Sequence, residues 1–157
     1  MYDEALLKEL TELENTVRFD SFDFNDAYAL GSALRAAGEK APKPIAVRIV
    51  LDGMILYQSF LPGTDATNNN WMDKKQRTVQ LTGTTSLRAA VERELYGAKA
   101  PWQHDEEHYA FCGGGFPLRI RGGCVIGSIA TSGLPDVRDN AALIGGLKIF
   151  FEKHPQK

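Results

Sequence analysis

The chain has 157 residues, of which 43% are hydrophobic and 24% are charged, and these values are typical of one globular domain. Its 18 Lys and Arg residues nearly balance its 20 Asp and Glu residues, and the formal net charge of −2 argues against a nucleic-acid-binding protein, which usually carries a basic patch. The apolar runs are far shorter than the roughly 20 residues that cross a bilayer, and the acidic N-terminus differs from a signal peptide, so we expect a single domain at residues 1–157, in the cytoplasm.

Two helices are predicted at the start of the chain. Asp3 can cap the first, in which Leu residues recur at three- and four-residue spacing. After a short strand or link at residues 19–24, Asn25 can cap a second helix that runs to about Ala37 and stops at Gly38. Each helix has an apolar face, which indicates that it packs on other elements.

A β-hairpin is predicted at residues 45–60, because alternating apolar residues flank Asp52-Gly53, a dipeptide suited to the positive φ angles of a type I′ turn. A two-residue turn at this place pairs Arg48 with Tyr57, within reach of a cation–π contact. The hairpin supplies two antiparallel strands.

The middle of the chain predicts two further helices. The first covers residues 71–81 and is entered from Asn70, at the end of a polar loop. The second covers residues 87–96, is capped by Ser86 and ends at Gly97.

A short strand and a second hairpin are predicted in the last third of the chain. The short strand covers residues 109–112, and the hairpin pairs residues 116–121 with residues 124–131 about a Gly-Gly turn. The last helix begins at residues 134–135. Because most neighbouring strands are joined by tight turns, this order of elements favours an antiparallel sheet with helices on its faces.

The two cysteines are predicted to remain reduced. A two-residue glycine turn pairs Arg121 with Cys124. Counting outward along both strands then places Cys112 opposite Gly133, so the thiols lie near opposite ends of the hairpin and are too far apart to bond.

Two segments carry a family resemblance. In the first, residues 70–79, Trp71 precedes a Lys-Lys pair and a Thr-Val pair. The second runs from the glycine triplet at residues 113–115 through the hairpin to the Ser-Gly-Leu-Pro sequence at 132–135, with Asp139 beyond it. In this order the two segments resemble the HbpS/GlcG-like "haem-degrading domain" family, and in particular its small stand-alone branch of uncharacterised (UPF) proteins.

The resemblance implies a profilin-like fold of the α/β (α+β) class, with a five-stranded antiparallel sheet flanked by helices in three layers. It also implies a homo-oligomer, either a dimer or a larger assembly of dimers. For function it implies haem binding, haem degradation or an accessory sensing role, with haem as the candidate cofactor.

Two positions depart from the pattern of many relatives. Cys112 stands where they have His before the glycines, and Asn140 stands where they have His after Asp139. Both changes remove an imidazole, the usual axial ligand of haem iron, and therefore argue against a haem role.

Three cations follow Trp71 on its predicted helix. Lys74, Lys75 and Arg77 could present positive charge to a carboxylate, a phosphate or a haem propionate. The structural alternatives are a solvated helix face and an intersubunit salt bridge. Lys75 is the first choice for a ligand contact.

The second segment also offers candidate ligand contacts. Gly113, Gly114 and Gly115 could place backbone N–H groups around an anion, or form a bulge at the start of a strand. Ser132 and Asp139 flank the start of the last helix, where capping and the helix dipole explain residues of these types. No nearby His offers Ser132 a base, so a nucleophilic role is not assigned.

His104 and His108 have the four-residue spacing that brings two metal ligands to one helix face. No third ligand is evident in the sequence, and Pro101 argues against a helix there. No metal site is therefore assigned.

We expect an oligomeric, non-catalytic or weakly catalytic domain that binds or senses a small anionic ligand. The alternatives are a protein-interaction scaffold or accessory factor, and a haem-binding or haem-degrading protein. No nucleic-acid or membrane partner is expected. The predicted ligand-binding residues are Trp71, Lys74, Lys75, Arg77, Gly113, Gly114, Gly115, Ser132 and Asp139.

Overall fold

The computed structural model describes residues 1–134 and 136–156, in which five α-helices pack around one four-stranded antiparallel sheet. The strand order is β2-β1-β4-β3. In chain order the elements are α1 (Glu4–Thr16), α2 (Phe24–Glu39), β1 (Ala46–Leu51), β2 (Met54–Phe60), α3 (Ala66–Thr82), α4 (Ser86–Tyr96), a short 3₁₀ turn (Pro101–His104), β3 (Gly115–Arg119), β4 (Val125–Ser132) and α5 (Asp136–Lys153). The predicted α+β class and antiparallel sheet are confirmed. Within the described ranges, no helix is long and apolar enough to span a membrane.

Helices cover both faces of the sheet. Successive side chains of a strand point to opposite faces, so the contacts of β1 show which helix lies on which face. On one face, Val47 and Ile49 of β1 belong to the main core cluster with Leu30 of α2 and Leu143 of α5. On the other, Ala46 packs with Met72 of α3 and with Ala130 of β4. The α3 helix therefore lies on the face opposite to α2 and α5.

The sheet has four strands and not the predicted five. The predicted strand at residues 109–112 does not form, because the buried Ala110 makes its main-chain bonds to a helix. Its N–H donates to Thr78 Oγ1 at 3.0 Å, and the same hydroxyl lies 3.0 Å from Ala110 O. In the segment at residues 19–24, Phe19 makes one isolated bridge with Ile120, residues 20–23 form a link, and Phe24 begins α2.

The first hairpin turns at Asp52-Gly53 as predicted, with φ angles of 48° and 77°. A bulge between Ile49 and Val50 then shifts the register by one residue, so that Arg48 pairs with Gln58. The predicted pairing of Arg48 with Tyr57 is therefore wrong. Arg48 shares the face of Ala46, toward α3. There it is 3% exposed and forms hydrogen bonds that the sequence did not suggest.

The second hairpin keeps the predicted register between β3 and β4 for residues 115–118, where Phe116 pairs with Ile129. Its turn is one residue longer than predicted, because Ile120 N–H donates to Cys124 O at 3.3 Å. A bulge in β4 takes up this extra residue, so the rest of the hairpin keeps the predicted register. Cys112 lies before β3 and outside the ladder, and neither cysteine forms a disulfide within the described residues.

Three helix caps differ from the prediction. Asp23, Asp65 and Thr85 cap α2, α3 and α4, where Asn25, Asn70 and Ser86 were predicted. In α2 and α3 the cap is reciprocal, since the residue three positions later bonds back to the cap N–H. These bonds extend both helices toward the N-terminus.

Gly38 does not stop α2, which was predicted to end there. It lies inside the helix, where a Cβ atom would come within 2.5 Å of Ile45 Cγ1, so glycine permits close packing of helix on sheet. The predicted start of the last helix includes Pro135, which lies outside the described residues, and α5 is described from Asp136.

Candidate functional site

A pocket of about 370 Å³ lies where the first turns of α3, the loop before β3 and the junction of β4 with α5 meet. We call it the α3–α5 pocket. Of the predicted ligand residues it contains Trp71, Lys75, Gly113, Ser132 and Asp139. Its complete lining is Thr67, Asn68, Trp71, Lys75, Cys112, Gly113, Ser132, Gly133, Leu134 and Asp139.

Lys75 reaches the pocket from α3 with a side chain that is only 2% exposed. Its ammonium donates to Thr131 O at 2.7 Å and to Asp139 Oδ2 at 3.0 Å. An ammonium group has three N–H donors. Two of them are thus satisfied by described residues, and the third can serve a molecule in the pocket.

Asp139 holds the junction between β4 and α5 together. Its Oδ1 accepts from the N–H of Leu134 at 3.0 Å, and its main-chain oxygen accepts from Thr131 Oγ1 at 3.1 Å. Together with the Lys75 ion pair, these bonds satisfy both carboxylate oxygens of a side chain that is 4% exposed. The pair places two opposite and nearly buried charges on the pocket wall.

Gly114 and Gly115 lie behind the pocket wall and have structural roles. Gly114 has a φ of +112°, and a Cβ atom there would come within 2.6 Å of Thr131 O and 2.7 Å of Lys75 Nζ. The N–H of Gly115 donates to Ser86 Oγ at 2.8 Å. Gly115 begins β3 in regular register opposite Ala130, and Gly113 alone of the triplet lines the pocket.

Lys74 and Arg77 point away from the pocket. Lys74 Nζ donates to Glu106 O at 2.9 Å and lies 4.9 Å from the centroid of the Trp71 ring. Arg77 donates to His108 O at 3.3 Å. These two cations hold the loop at residues 105–108 against α3, so the three predicted cations do not form one site.

The sequence reasoning missed Thr67 and Asn68, because it assigned residues 64–70 to a loop. Both lie in the first turn of α3, and Asn68 Nδ2 donates to Ser132 Oγ at 3.4 Å. The pair Asp65 and Asn68 has the spacing of a reciprocal cap. That signal in the sequence indicates an earlier helix start and would have found these residues.

The electrostatic character of the pocket comes from more than its ion pair. The first turn of α3 contributes Thr67 and Asn68, and the first turn of α5 contributes Asp139. Helix N-termini carry partial positive charge and favour anions. The carboxylate of Asp65 already caps this end of α3, and the charges of Lys75 and Asp139 balance, so the lining residues carry no net formal charge.

The histidines of the described residues do not line this pocket. His108 Nδ1 lies 2.9 Å from Asp105 Oδ2 on an exposed loop, and His154 stacks on the Phe150 ring with centroids 4.5 Å apart. Among the described residues, no group of three or more His, Cys, Asp or Glu side chains could hold a metal ion.

Sequence and structure comparisons identify relatives over most of the chain. Residues 22–148 match the family described as "Haem degrading protein HbpS-like". A UPF0303 protein of Streptomyces avermitilis is 31% identical over 149 residues, which cover 94% of this chain and 91% of that protein.

Two solved structures share the fold. The Ybr137w protein superposes with a TM-score of 0.82 at 26% identity and covers 98% of both chains. The PduOC:Heme complex superposes with a TM-score of 0.71 at 21% identity, covering 82% of this chain and 94% of the other.

Proposed function

This chain belongs to the HbpS-like family, and from that membership and its pocket geometry we propose that it binds a small anionic organic molecule in the α3–α5 pocket. The observation that carries the proposal is the buried ammonium of Lys75, whose two bonds to Thr131 and Asp139 leave one N–H for a ligand. The pocket volume of about 370 Å³ is within the usual range for small-molecule sites.

The lining residues favour a ligand with a planar body and one carboxylate. Trp71 is 39% exposed at the pocket, and its ring offers a flat apolar surface for stacking. The carboxylate would accept from Lys75 and from Ser132 while it lies near two helix N-termini. Asp139 limits the ligand to one negative charge, because a second would lie close to its carboxylate.

Benzoate and benzamide test this proposal, since they differ in charge and not in shape. We expect benzoate to shift the amide resonances of residues 67–75 and 131–139, and to bind at least about threefold more tightly than benzamide. Trp71→Ala should weaken both ligands. Lys8→Ala is the matched control, because Lys8 is an exposed cation of α1 that lies outside the pocket, and its removal should change neither affinity.

Two results would contradict the proposal. One is equal binding of benzoate and benzamide, which would show that the charge of Lys75 and the helix ends do not select the ligand. The other is a set of shifted resonances that lies away from the pocket. Either result would leave the family assignment unchanged.

We also propose that the protein forms a homo-oligomer through β2. This strand lies at the edge of the sheet, where unpaired N–H and C=O groups favour pairing with another chain. Met54, Ile55 and Phe60 are 50%, 51% and 39% exposed on it. Light scattering should therefore give a mass above that of one chain, and Ile55→Lys should reduce that mass without loss of benzoate binding.

Haem is the second candidate ligand, supported by the description of the family. The described residues do not fit imidazole ligation, since no His lines the pocket. Cys112 is the lining residue of a type that ligates haem iron. Hemin tests this candidate: a Soret band identical to that of free hemin removes it, and a shifted band that Cys112→Ala abolishes supports thiolate ligation.

A further inference from the structure

A row of side chains on α2 faces solvent beside the edge strand β2. Phe24, Tyr28, Ser32 and Ala36 recur at four-residue spacing, which brings neighbouring members of the row together on the helix surface. Phe24 and Tyr28 are 62% and 69% exposed, Ser32 is partly exposed and Ala36 is exposed. We call this row the α2 ridge.

The first half of the ridge is aromatic. Phe24 and Tyr28 are the most exposed large hydrophobic side chains of the described residues after Met1. The Tyr28 ring contacts the Tyr57 ring of β2 edge-on, with centroids 6.2 Å apart, and still remains largely open to solvent. Neighbouring exposed aromatic residues are typical of protein–protein interfaces, so this half of the ridge indicates a partner.

The second half of the ridge borders a hollow of about 300 Å³ between α2 and the end of α5. Small side chains form its α2 wall, among them Ser32, Ala33 and Ala36, whereas Ile149 and Phe150 contribute to its α5 wall. The ridge therefore presents two large side chains at one end and an apolar recess at the other.

This order of large and small residues is self-complementary. If two copies of α2 lie antiparallel about a twofold axis at residue 30, the numbers of facing residues add up to 60. Phe24 then faces Ala36 of the second copy, and Tyr28 faces Ser32. Because each pair of an isologous contact occurs twice, both recesses receive aromatic side chains.

The charges at the two ends of α2 are complementary as well. The helix begins with two carboxylates, at its cap and at its third position. Lys40 follows its other end, Lys153 lines the hollow, and the Arg35–Glu39 pair adds no net charge there. Antiparallel contact thus brings the acidic end of each copy to the basic end of the other, whereas parallel contact would join like charges.

We propose that the α2 ridge is an interaction surface for a second copy of this chain, packed antiparallel with Tyr28 facing Ser32. The aromatic rings of each copy fill the recess of the other, and their burial stabilises the contact. This contact does not depend on strand pairing at β2. Together the two contacts produce an assembly larger than a dimer.

The variants Ser32→Tyr and Tyr28→Ser test the register. The first sets two tyrosines against each other and the second leaves two serines, so neither variant should associate through α2. An equimolar mixture restores one tyrosine against one serine at both positions and should associate. Light scattering measures this with Ile55→Lys added to every chain, which removes the contact proposed at β2. We expect a dimer for Ile55→Lys alone and for the mixture, and a monomer for each variant by itself.

Ala5→Tyr is the matched control, because it adds the same side chain at an exposed position of α1 and should leave the dimer intact. Urea unfolding should show that each variant folds. A dimer that persists in Ser32→Tyr, or a mixture that stays monomeric, would overturn the proposal. A monomeric Ile55→Lys protein would also overturn it, since no second copy would then cover the ridge. If Ile55→Lys leaves the mass unchanged while Ser32→Tyr lowers it, the β2 contact is wrong and the α2 contact stands.

Discussion

Lys75 Nζ lies 3.0 Å from Asp139 Oδ2, and the two side chains are 2% and 4% exposed. Removing one partner of a buried ion pair leaves an uncompensated charge, which typically destabilises a protein by about 3–5 kcal/mol. We therefore expect Lys75→Met to lower the free energy of unfolding by about 3 kcal/mol, measured by urea denaturation at neutral pH.

The double variant Lys75→Met/Asp139→Asn provides the control for this prediction. It removes both charges and keeps an amide oxygen that can accept from the N–H of Leu134. We expect it to recover most of the lost stability, because no unpaired charge remains. A single variant as stable as the unmodified protein would show that water in the pocket solvates Asp139 fully.

The sequence predicted both residues of this ion pair as site residues, but it did not predict their contact. Lys75 and Asp139 were both named as ligand residues, and the family resemblance that supported them is confirmed. Their contact joins residues that are 64 positions apart. It depends on how α3 packs across β4, which neither spacing nor periodicity determines.

The elements were more predictable than their connections. The turn at Asp52-Gly53 was correct, because only a few residue types adopt the positive φ angles that it requires. The bulge beside Ile49 was missed, because alternation continues on both sides of a bulge and only the facing strand reveals it. As a result, the cross-strand partner of Arg48 was predicted incorrectly.

Arg48 shows most clearly that contacts between elements were harder to predict than the elements themselves. It is 3% exposed and donates to Asn69, Asp73, Gln76 and Gln58 at 2.6–3.1 Å. The three partners on α3 recur at helical spacing, but the helix was predicted to begin after Asn69. The error in the helix start therefore concealed Asn69, and the packing of α3 on β1, which brings all three partners to Arg48, is not determined by the sequence pattern.

Gly114→Ala should disrupt the wall of the α3–α5 pocket. Gly114 has a φ of +112°, and an added Cβ atom would approach Thr131 O to 2.6 Å and Lys75 Nζ to 2.7 Å. We expect a loss of about 3 kcal/mol or more in the free energy of unfolding, from backbone strain and the displaced ammonium. Gly122→Ala is the matched control. It has a positive φ of 72° but no atom within 4 Å of the Cβ position, so it should cost about 1 kcal/mol.

Thr78 should be essential for the position of the loop at residue 110. Thr78→Val keeps the size of the side chain and removes the hydroxyl that bonds to both main-chain groups of Ala110. Since Ala110 is fully buried, we expect a loss of about 2–3 kcal/mol and faster hydrogen exchange at the Ala110 amide. Thr78→Ser keeps the hydroxyl and should retain slow exchange. Equally slow exchange in the Val variant would contradict this assignment.

Tyr96 links α4 to the start of α1, with its hydroxyl 2.8 Å from Glu4 Oε2. The hydrogen bond to this carboxylate raises the pKa of Tyr96 above its ordinary value of 10.0, because the phenolate would lose the bond and lie beside a like charge. The folded protein thus binds the tyrosine proton more tightly than the unfolded chain does. The stabilising contribution is complete below about pH 10 and is lost as the pH rises through the raised pKa.

Two measurements check this prediction. Glu4→Ala should return the pKa of Tyr96 toward 10.0, as followed by the Cζ chemical shift of labelled tyrosine. Glu9→Ala removes another exposed carboxylate of α1 and should leave this pKa unchanged. Above pH 10, the free energy of unfolding should fall more steeply for the unmodified protein than for Tyr96→Phe, because only the former loses a tyrosine proton that the fold retains. Parallel curves for these two proteins would show that the bond between Tyr96 and Glu4 does not contribute to stability in solution.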